Sequence, residues 1–312
     1  MDHESGGLGK QGTVFPRMMA LGQIDDTRLT RRVGAVMAKE VSSVGVDIML
    51  APVCDVNTHL DNPIIGARAF SRDSDTVAAH CLAFARGVMD EQVIPVLKHF
   101  PGHGATTIDS HLGLPVIDLS KHDLQTHHMA PFKRAFEHHI PMVMTAHIVV
   151  EALDKRAPAT LSKQILTTYL REELKFKGLV VSDHLEMKAV LQDRSMAEVA
   201  FHAWLAGVDI LMMDGNFSEV KQLHQLFKEA LASGKIQMAT IDQRLTRLIE
   251  LKHQFNNKKT HQQLDLASNK TLRHPDHLNL SSKVIKESIQ KIGKRKCVCF
   301  RAHLIWILKH IE

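Results

Sequence analysis

Five short apolar runs alternate with amphipathic segments along most of this chain, and this alternation constrains the fold more than any other feature. Each run is almost continuously apolar, which is typical of strands buried on both faces of a parallel sheet. The runs cover residues 46–53, 93–97, 141–146, 178–182 and 208–213. Parallel strands need long crossover connections, so the sequence predicts repeated strand–helix units.

The segments between the runs carry apolar residues at helical spacing. In the first of them Leu29, Val33 and Met37 recur every four residues, so they lie on one face of a helix. The same reasoning predicts helices over residues 29–44, 75–90, 163–174, 195–206 and 240–255. Strands joined by such helices form right-handed crossovers, which predicts an α/β fold.

Polar side chains that can do chemistry follow strand after strand. In a (β/α)8 barrel all the strand ends converge on one mouth, whereas an open doubly wound sheet spreads them along an edge. The open sheet is the alternative, but no Gly-x-Gly-x-x-Gly follows a strand, which disfavours a dinucleotide site. We therefore predict a (β/α)8 TIM-type barrel. The strand-end residues are Asp55, Asn57, Lys98, His99, His147, Asp183 and Asp214.

The predicted barrel is incomplete, because only five strands are visible where eight are needed. Residues 1–7 read as the end of a strand and its loop without the strand, so we expect the first strands to be missing. Such a barrel would expose strand edges and apolar helix faces, and we expect the isolated chain to be poorly soluble. We assign residues 1–255 to the barrel and 256–312 to a linker with a basic tail, as a possible remnant of a second domain. Within the latter, 256–277 reads as linker and 280–292 as a helix.

The charge is unevenly distributed and excludes some partners. Residues 251–312 hold 13 Lys and Arg against 4 Asp and Glu, although the whole chain has a net charge of only +5. The body is therefore mildly acidic, and with 5% aromatic residues the sequence predicts no nucleic-acid partner. No apolar run approaches the roughly 20 residues that span a membrane. The four cysteines are expected to be free thiols.

The most informative motif begins at the end of the second apolar run, with a Lys-His-Phe-Pro-Gly-His-Gly stretch at 98–104. Asp109 and His111 follow in the next loop, two positions apart, so in an extended segment they point to the same side. Asp109 could then orient His111 for acid–base catalysis. Two alternatives remain: an ordinary surface loop, or a metal site. The metal ligands would be His99, His103, Asp109 and His111, but their spacing matches no common zinc pattern.

A second motif places Asp183 where the strand at 178–182 enters its loop. A carboxylate at a barrel mouth can act as a nucleophile on the anomeric carbon of a sugar. The alternative is that Asp183 caps the following helix, which is a frequent role for Asp at a strand–helix junction.

Together these motifs closely resemble glycoside hydrolase family 3, and within it the β-N-acetylglucosaminidase branch. The resemblance extends over residues 2–255. It rests on 98–104 with Asp109 to His111, on Ser182 and Asp183, and on the segments 2–4, 15–22, 51–56, 62–70, 145–147 and 206–209.

The resemblance implies a role for each matching residue. Asp183 matches the nucleophile that forms a covalent glycosyl-enzyme, and His111 matches the acid/base, with Asp109 as its partner. The branch uses this His in place of the Glu of the common two-carboxylate pattern. The resemblance implies neither a metal nor a cofactor. The residues that match sugar-binding positions are Asp2, Arg68, Lys98, His99 and His147.

Two positions depart from the family pattern. After the Asp-x-Glu element the family continues Gly-Gly-Arg, whereas here Ser5 precedes two glycines and Leu8 stands where Arg is expected. His184 replaces the second Asp that often follows the nucleophile.

The function implied is that of a retaining exo-β-N-acetylglucosaminidase (a β-N-acetylhexosaminidase). Its carbohydrate substrates would be GlcNAc-terminated glycans, above all peptidoglycan fragments (muropeptides). No signal peptide is visible, so a cytoplasmic location is expected. One alternative is an inactive, truncated remnant of such an enzyme. Another is a β-GlcNAc phosphorylase, because a neutral His repels a phosphate acceptor less than a Glu would.

Overall fold

A computed structural model of the chain describes residues 1–107, 113–191, 193–255 and 269–294. Seven short strands form its sheets, and all are fully or partly buried. They are β1 (Ile48–Met49), β2 (Ile94–Pro95), β3 (Leu97–Phe100), β4 (Val116–Ile117), β5 (Met142–Thr145), β6 (Val149–Val150) and β7 (Leu179–Val181).

Helices connect and follow these strands. They are α1 (Met18–Ile24), α2 (Thr27–Ser42), α3 (Ser74–Asp90), α4 (Lys121–Asp123), α5 (Ala130–Glu137), α6 (Lys188–Leu191), α7 (Met196–Ala206), α8 (Phe217–Ala232), α9 (Met238–Phe255) and α10 (Pro275–Lys294). Two segments, Leu124–His128 and Gln164–Glu173, are π-helical, and the second lies where the sequence predicts the helix over 163–174. Among these helices none combines the length and the apolar character needed to cross a bilayer.

All the strands pair in parallel; β4 pairs with β6 in a separate sheet, and the other strands form an arc. β1 pairs with β2, β3 with β5, and β5 with β7. Parallel bridges from Val53 to Lys98 and from Val181 to Ile210 join the first pair to β3 and add the run around residue 210. The prediction of five neighbouring parallel strands is therefore confirmed. Over the described residues, this arc does not close into a ring.

The outer face of the arc packs against the helices. Val143 and Val180 point outward and are fully buried with residues of α2, α3 and α5. Helices α2 and α3 approach closely, since a Cβ on Gly34 would lie only 2.5 Å from the carbonyl oxygen of Phe84. Glycine at this position therefore allows two backbones to pack without a side chain between them.

The inner face of the arc is covered by the end of α9. Alternate strand residues point to opposite faces, and the inward ones form a second apolar cluster with Leu251 and Phe255 of α9. At the first edge, the amino group of Met1 donates a hydrogen bond to the Ile48 carbonyl (2.8 Å), and the N–H of Leu50 donates to Met1 (2.8 Å). The inward residues are Ile94, Val96, Met142, Met144, Leu179 and Val181.

Helix α10 packs against the body of the protein. Leu280 and Val284 are buried in the same cluster as the outer face of the arc. This helix begins at Pro275, two residues before the end of the stretch expected to be a linker. Residues 256–268 and 295–312, which hold most of the predicted linker and tail, lie outside the described residues, and the division at residue 255 stays a prediction.

We expect Leu251→Ala to lower the free energy of unfolding by about 3 kcal/mol, because it opens a cavity between α9 and the sheet. The matched control is Leu245→Ala on the same helix, where the side chain is 48% exposed, and the loss should stay below about 1 kcal/mol. Urea denaturation of both variants measures the difference. Equal losses would show that α9 does not pack on the inner face.

Candidate active site

A cavity of about 840 Å³ lies at the carboxyl ends of the strands. Five of the residues that the sequence predicts for the site line it together. They come from four separate parts of the chain: the N-terminal segment, the loop after β1, β3 and the loop after β7. These residues are Asp2, Arg68, Lys98, His99 and Asp183.

Lys98 is the buried cation of this cavity. It lies on β3, is 2% exposed, and its ammonium group lies 2.7 Å from Asp2 Oδ1 and 2.7 Å from Glu4 Oε1. A buried ammonium is tolerated only when it is paired and hydrogen-bonded. The strand end therefore requires the N-terminal carboxylates beside it.

Arg68 binds Glu4 through two parallel hydrogen bonds. Its Nε donates to Oε2 at 2.8 Å and its NH2 group donates to Oε1 at 2.6 Å. Burial would raise the pKa of Glu4, but Arg68 and Lys98 together hold that pKa well below its usual range. In turn the pKa of Arg68 is raised, because Glu4 outweighs the opposing effect of burial. Glu4, Arg68 and Lys98 thus form a rigid group of one carboxylate and two cations, all of them charged.

Asp55 fixes the imidazole that faces the cavity. This carboxylate is fully buried, and its Oδ2 accepts a hydrogen bond from His99 Nδ1 at 2.7 Å. Its Oδ1 accepts from the N–H of His99 (3.2 Å) and of His103 (2.6 Å). Burial alone would raise the pKa of Asp55, but His99 and His103 lower it. The orientation of His99 is therefore set from behind the cavity wall.

Asp183 also lines the cavity, two residues after the end of β7. Its Oδ1 accepts a hydrogen bond from the N–H of His184 at 2.8 Å. Burial would raise the pKa of Asp183, but the electrostatic influence of His99 and His147, that N–H and Lys98 lower it. The group is therefore an anion at neutral pH, as a carboxylate nucleophile must be.

His147 lies behind the cavity and is not one of its lining residues. Its Nδ1 lies 2.7 Å from Thr160 Oγ1, and its Nε2 donates to the carbonyl of His184 at 3.0 Å. Both ring nitrogens are thus engaged with the protein. This side chain therefore binds the backbone of His184, the residue after Asp183.

Asp109 and His111, the predicted acid/base pair, lie outside the described residues. So does half of the alternative metal set, of which the structure describes only His99 and His103. In the described part of the chain, the metal-ligating atoms that come together belong to His184, Glu186 and Asp214, within 4.8 Å of one another. Exposed groups of this kind commonly lie this close without an ion, and we assign no metal to them.

Three residues of the cavity region were missed by the reasoning from sequence. In the sequence, Glu4 and Arg17 belong to the motif segments 2–4 and 15–22 and Asp55 is a strand-end residue, but none of the three is predicted as a site residue. Arg17 lines the cavity, with its guanidinium 4.0 Å from Glu4. A usable signal existed for two of them: Glu4 follows Asp2 at the same-side spacing, and Asp55 follows a buried strand.

The positions that depart from the family pattern have clear structural settings. Leu8, where an arginine was expected, is partly buried against the main apolar cluster. His184 lies at the cavity, with Nε2 3.3 Å from Asp214 Oδ2.

Comparison with known proteins agrees with this geometry. Residues 1–251 match the family model described as the glycosyl hydrolase family 3 N terminal domain. Beta-hexosaminidase A of Pseudoalteromonas piscicida is 30% identical over 318 residues, which cover 94% of this chain and 52% of that protein. Beta-hexosaminidase of Neisseria meningitidis serogroup B is 34% identical over 238 residues, covering 73% of this chain and 65% of that protein.

A solved structure is also similar. The glycoside hydrolase family 3 beta-N-acetylglucosaminidase from Paenibacillus sp. str. FPU-7 superimposes with a TM-score of 0.87 at 32% identity. The match covers 92% of this chain and 55% of that one. This chain therefore spans between half and two thirds of the length of these relatives.

The fold should lose stability in mild acid through His3. This imidazole is fully buried beside the cavity, its Nδ1 accepts a hydrogen bond from the N–H of Gly7, and burial lowers its pKa to about 4. Between pH 6.5 and 4 this histidine takes up a proton in the unfolded chain but stays neutral in the folded chain. The free energy of unfolding therefore falls as the pH falls.

His3→Asn keeps an acceptor near Nδ1 but cannot titrate. Between pH 7 and pH 4 we expect the wild type to lose about 3 kcal/mol more unfolding free energy than this variant. Denaturant titrations at a series of pH values measure both slopes. Parallel curves would mean that His3 is not buried in its neutral form.

Proposed function

Because the chain belongs to glycosyl hydrolase family 3, we propose that it removes terminal β-linked N-acetylglucosamine from glycans by hydrolysis with retention of configuration. The observation that carries this proposal is the ionised Asp183 in a cavity that Lys98, Arg68 and His99 also line. The relatives named as hexosaminidases support it.

In the first step, Asp183 attacks the anomeric carbon. A bond forms between a carboxylate oxygen and that carbon while the glycosidic bond breaks. The departing oxygen takes a proton from His111, which Asp109 orients. The product of this step is a glycosyl ester of Asp183, and the leaving group diffuses away as an alcohol.

In the second step, water replaces Asp183 on the anomeric carbon. His111, now without its proton, accepts one from the water as the new bond forms and the ester bond breaks. The sugar leaves with the configuration it had in the substrate, and both groups return to their initial states. Two displacements at one carbon give this retention.

The remaining cavity residues bind the sugar. Asp2 and Lys98 present an acceptor and a donor 2.7 Å apart, a spacing that suits adjacent hydroxyl groups. Arg68 and His99 are held from behind by Glu4 and Asp55, so they offer hydrogen-bonding groups in fixed positions at little entropic cost. We assign His147 to the site through its hydrogen bond to the carbonyl of His184, the residue after Asp183.

As the source of the substrate we propose peptidoglycan fragments, acted on in the cytoplasm. Cell fractionation tests the location, and assays on purified muropeptides test the source. Either part can fail without affecting the proposed chemistry.

Hydrolysis of a chromogenic β-GlcNAc glycoside by the 312-residue chain tests the function, with the corresponding β-glucoside as control. Release of GlcNAc supports the proposal. Release of GlcNAc 1-phosphate in phosphate buffer would show that the chain is a phosphorylase instead. If a folded chain turns over no substrate, the chain is an inactive remnant of such an enzyme.

Asp183→Asn should lower turnover by roughly four orders of magnitude, because the amide keeps the shape but cannot attack. The matched control is Asp214→Asn, a largely exposed carboxylate near the cavity rim, which should retain most of the activity. Steady-state rates on the chromogenic glycoside measure both. Near-normal turnover by the Asp183 variant would remove Asp183 from the mechanism.

His111→Ala should slow the cleavage of glycosides with poor leaving groups far more than those with good ones. Protonation of the departing oxygen matters most when that oxygen is a strong base. Rates on a series of aryl glycosides of graded phenol acidity give the slope. The same loss across the whole series would show that His111 does not supply the proton.

A further inference from the structure

Glu40 is a buried carboxylate that the proposed chemistry does not use. It lies on α2, is 1% exposed, and is not among the residues lining the cavity. Burial of a charged carboxylate is costly unless hydrogen bonds replace the lost water. The hydrogen-bond partners of Glu40 therefore show how its buried carboxylate is stabilised.

Those partners come from two distant segments. Thr13 donates its N–H to Oε2 at 2.7 Å and its hydroxyl to Oε1 at 2.6 Å. From the other side, the N–H of Arg273 (3.0 Å) and Nδ1 of His277 (2.8 Å) donate to Oε1. Glu40 thus joins α2, the N-terminal segment and the start of α10 in one buried contact.

The segment that Thr13 belongs to forms a wall of the cavity. We call residues 5–14 the N-terminal loop; Ser5, Gly6, Gly7 and Val14 line the cavity. The loop is closed on itself by a hydrogen bond from the N–H of Phe15 to the Ser5 carbonyl at 2.7 Å. It follows Asp2 and Glu4 directly, so its shape determines where those carboxylates lie.

Helix α10 and the residues just before it hold the same loop at two more points. Ser281 donates its hydroxyl to the Val14 carbonyl at 2.6 Å, and the Arg273 guanidinium reaches the Lys10 carbonyl at 3.5 Å. These contacts bind backbone oxygens of the loop. The apolar side chains of α10, by contrast, serve packing alone.

We propose that Glu40 and His277 form a positioning pair that orders the N-terminal loop, which makes α10 a working part of the sugar-binding site. Neither residue lines the cavity, so the pair acts through Thr13 and the loop. Helix α10 lies beyond residues 1–251, which match the family model. The effect on catalysis rests on the proposed function, whereas the ordering of the loop does not.

The test compares His277→Leu with His277→Asn. Leucine fills the space without a donor, while the asparagine amide can donate from nearly the position of Nδ1. Hydrogen exchange followed by mass spectrometry should show the amides of residues 5–14 exchanging about tenfold faster in the leucine variant. The asparagine variant should resemble the wild type.

Kinetics on the chromogenic β-GlcNAc glycoside provide the second readout. The leucine variant should raise KM about fivefold with little change in kcat, because the loop affects binding and Asp183 is held elsewhere. Asparagine should restore KM. Ile236→Val, which loosens a cluster near α7 and α8, is the control for general loss of stability and should change neither loop exchange nor KM.

The outcomes separate the two proposals. If the wild type hydrolyses nothing, the proposed function fails, and the exchange of the two His277 variants still decides the ordering of the loop. Unchanged exchange in the leucine variant, equal exchange in both variants, or a loosened loop with an unchanged KM would overturn the inference. If the leucine variant does not fold, Thr13→Val against Thr13→Ser makes the same comparison from the loop side.

Discussion

The buried ammonium group of Lys98 is the interaction on which the cavity end of this molecule depends. It lies at the end of β3 with two carboxylates at 2.7 Å, one of which Arg68 binds through a double hydrogen bond. Removal of one charge from such a buried set leaves the others unpaired, which costs several kcal/mol. The N-terminal segment, β3 and the loop after β1 are therefore held together by electrostatic interactions at the cavity.

Around this set, the protein supports each of the cavity-lining groups from behind. Asp55 orients His99, Glu4 orients Arg68, and His147 binds the carbonyl of His184, the residue after Asp183. The inferred role of Glu40 is of the same kind: it supports the N-terminal loop from behind, as Asp55 and Glu4 support individual side chains. Preorganisation of this kind lowers the entropic cost of placing reacting atoms.

The two faces of the sheet are covered in different ways. The outer face packs on helices that alternate with the strands, as expected for βαβ units. The inner face is covered by Leu251 and Phe255 of α9, a helix that the sequence predicts only as the last of the barrel. An incomplete barrel was expected to expose this apolar face to water and therefore to be poorly soluble. Because α9 covers the face, that apolar surface is removed from water.

The sequence by itself determined the elements that depend on local pattern. The apolar runs predicted the parallel strands and their order, because burial on both faces demands continuous apolar residues. The identities of Asp183, Lys98 and His99 followed from their places at strand ends and from the family resemblance.

Only the tertiary structure decided what depends on contacts between distant residues. Hydrogen bonds join Glu4 to Arg68, both nitrogens of His147 to their partners, and Glu40 to His277, across separations of 13 to 237 positions. The packing of α9 on the sheet is likewise a contact between distant segments. The spacing of apolar and polar residues along the sequence does not predict such a pairing. A buried charge needs a partner, but the sequence does not say which one the fold will bring to it.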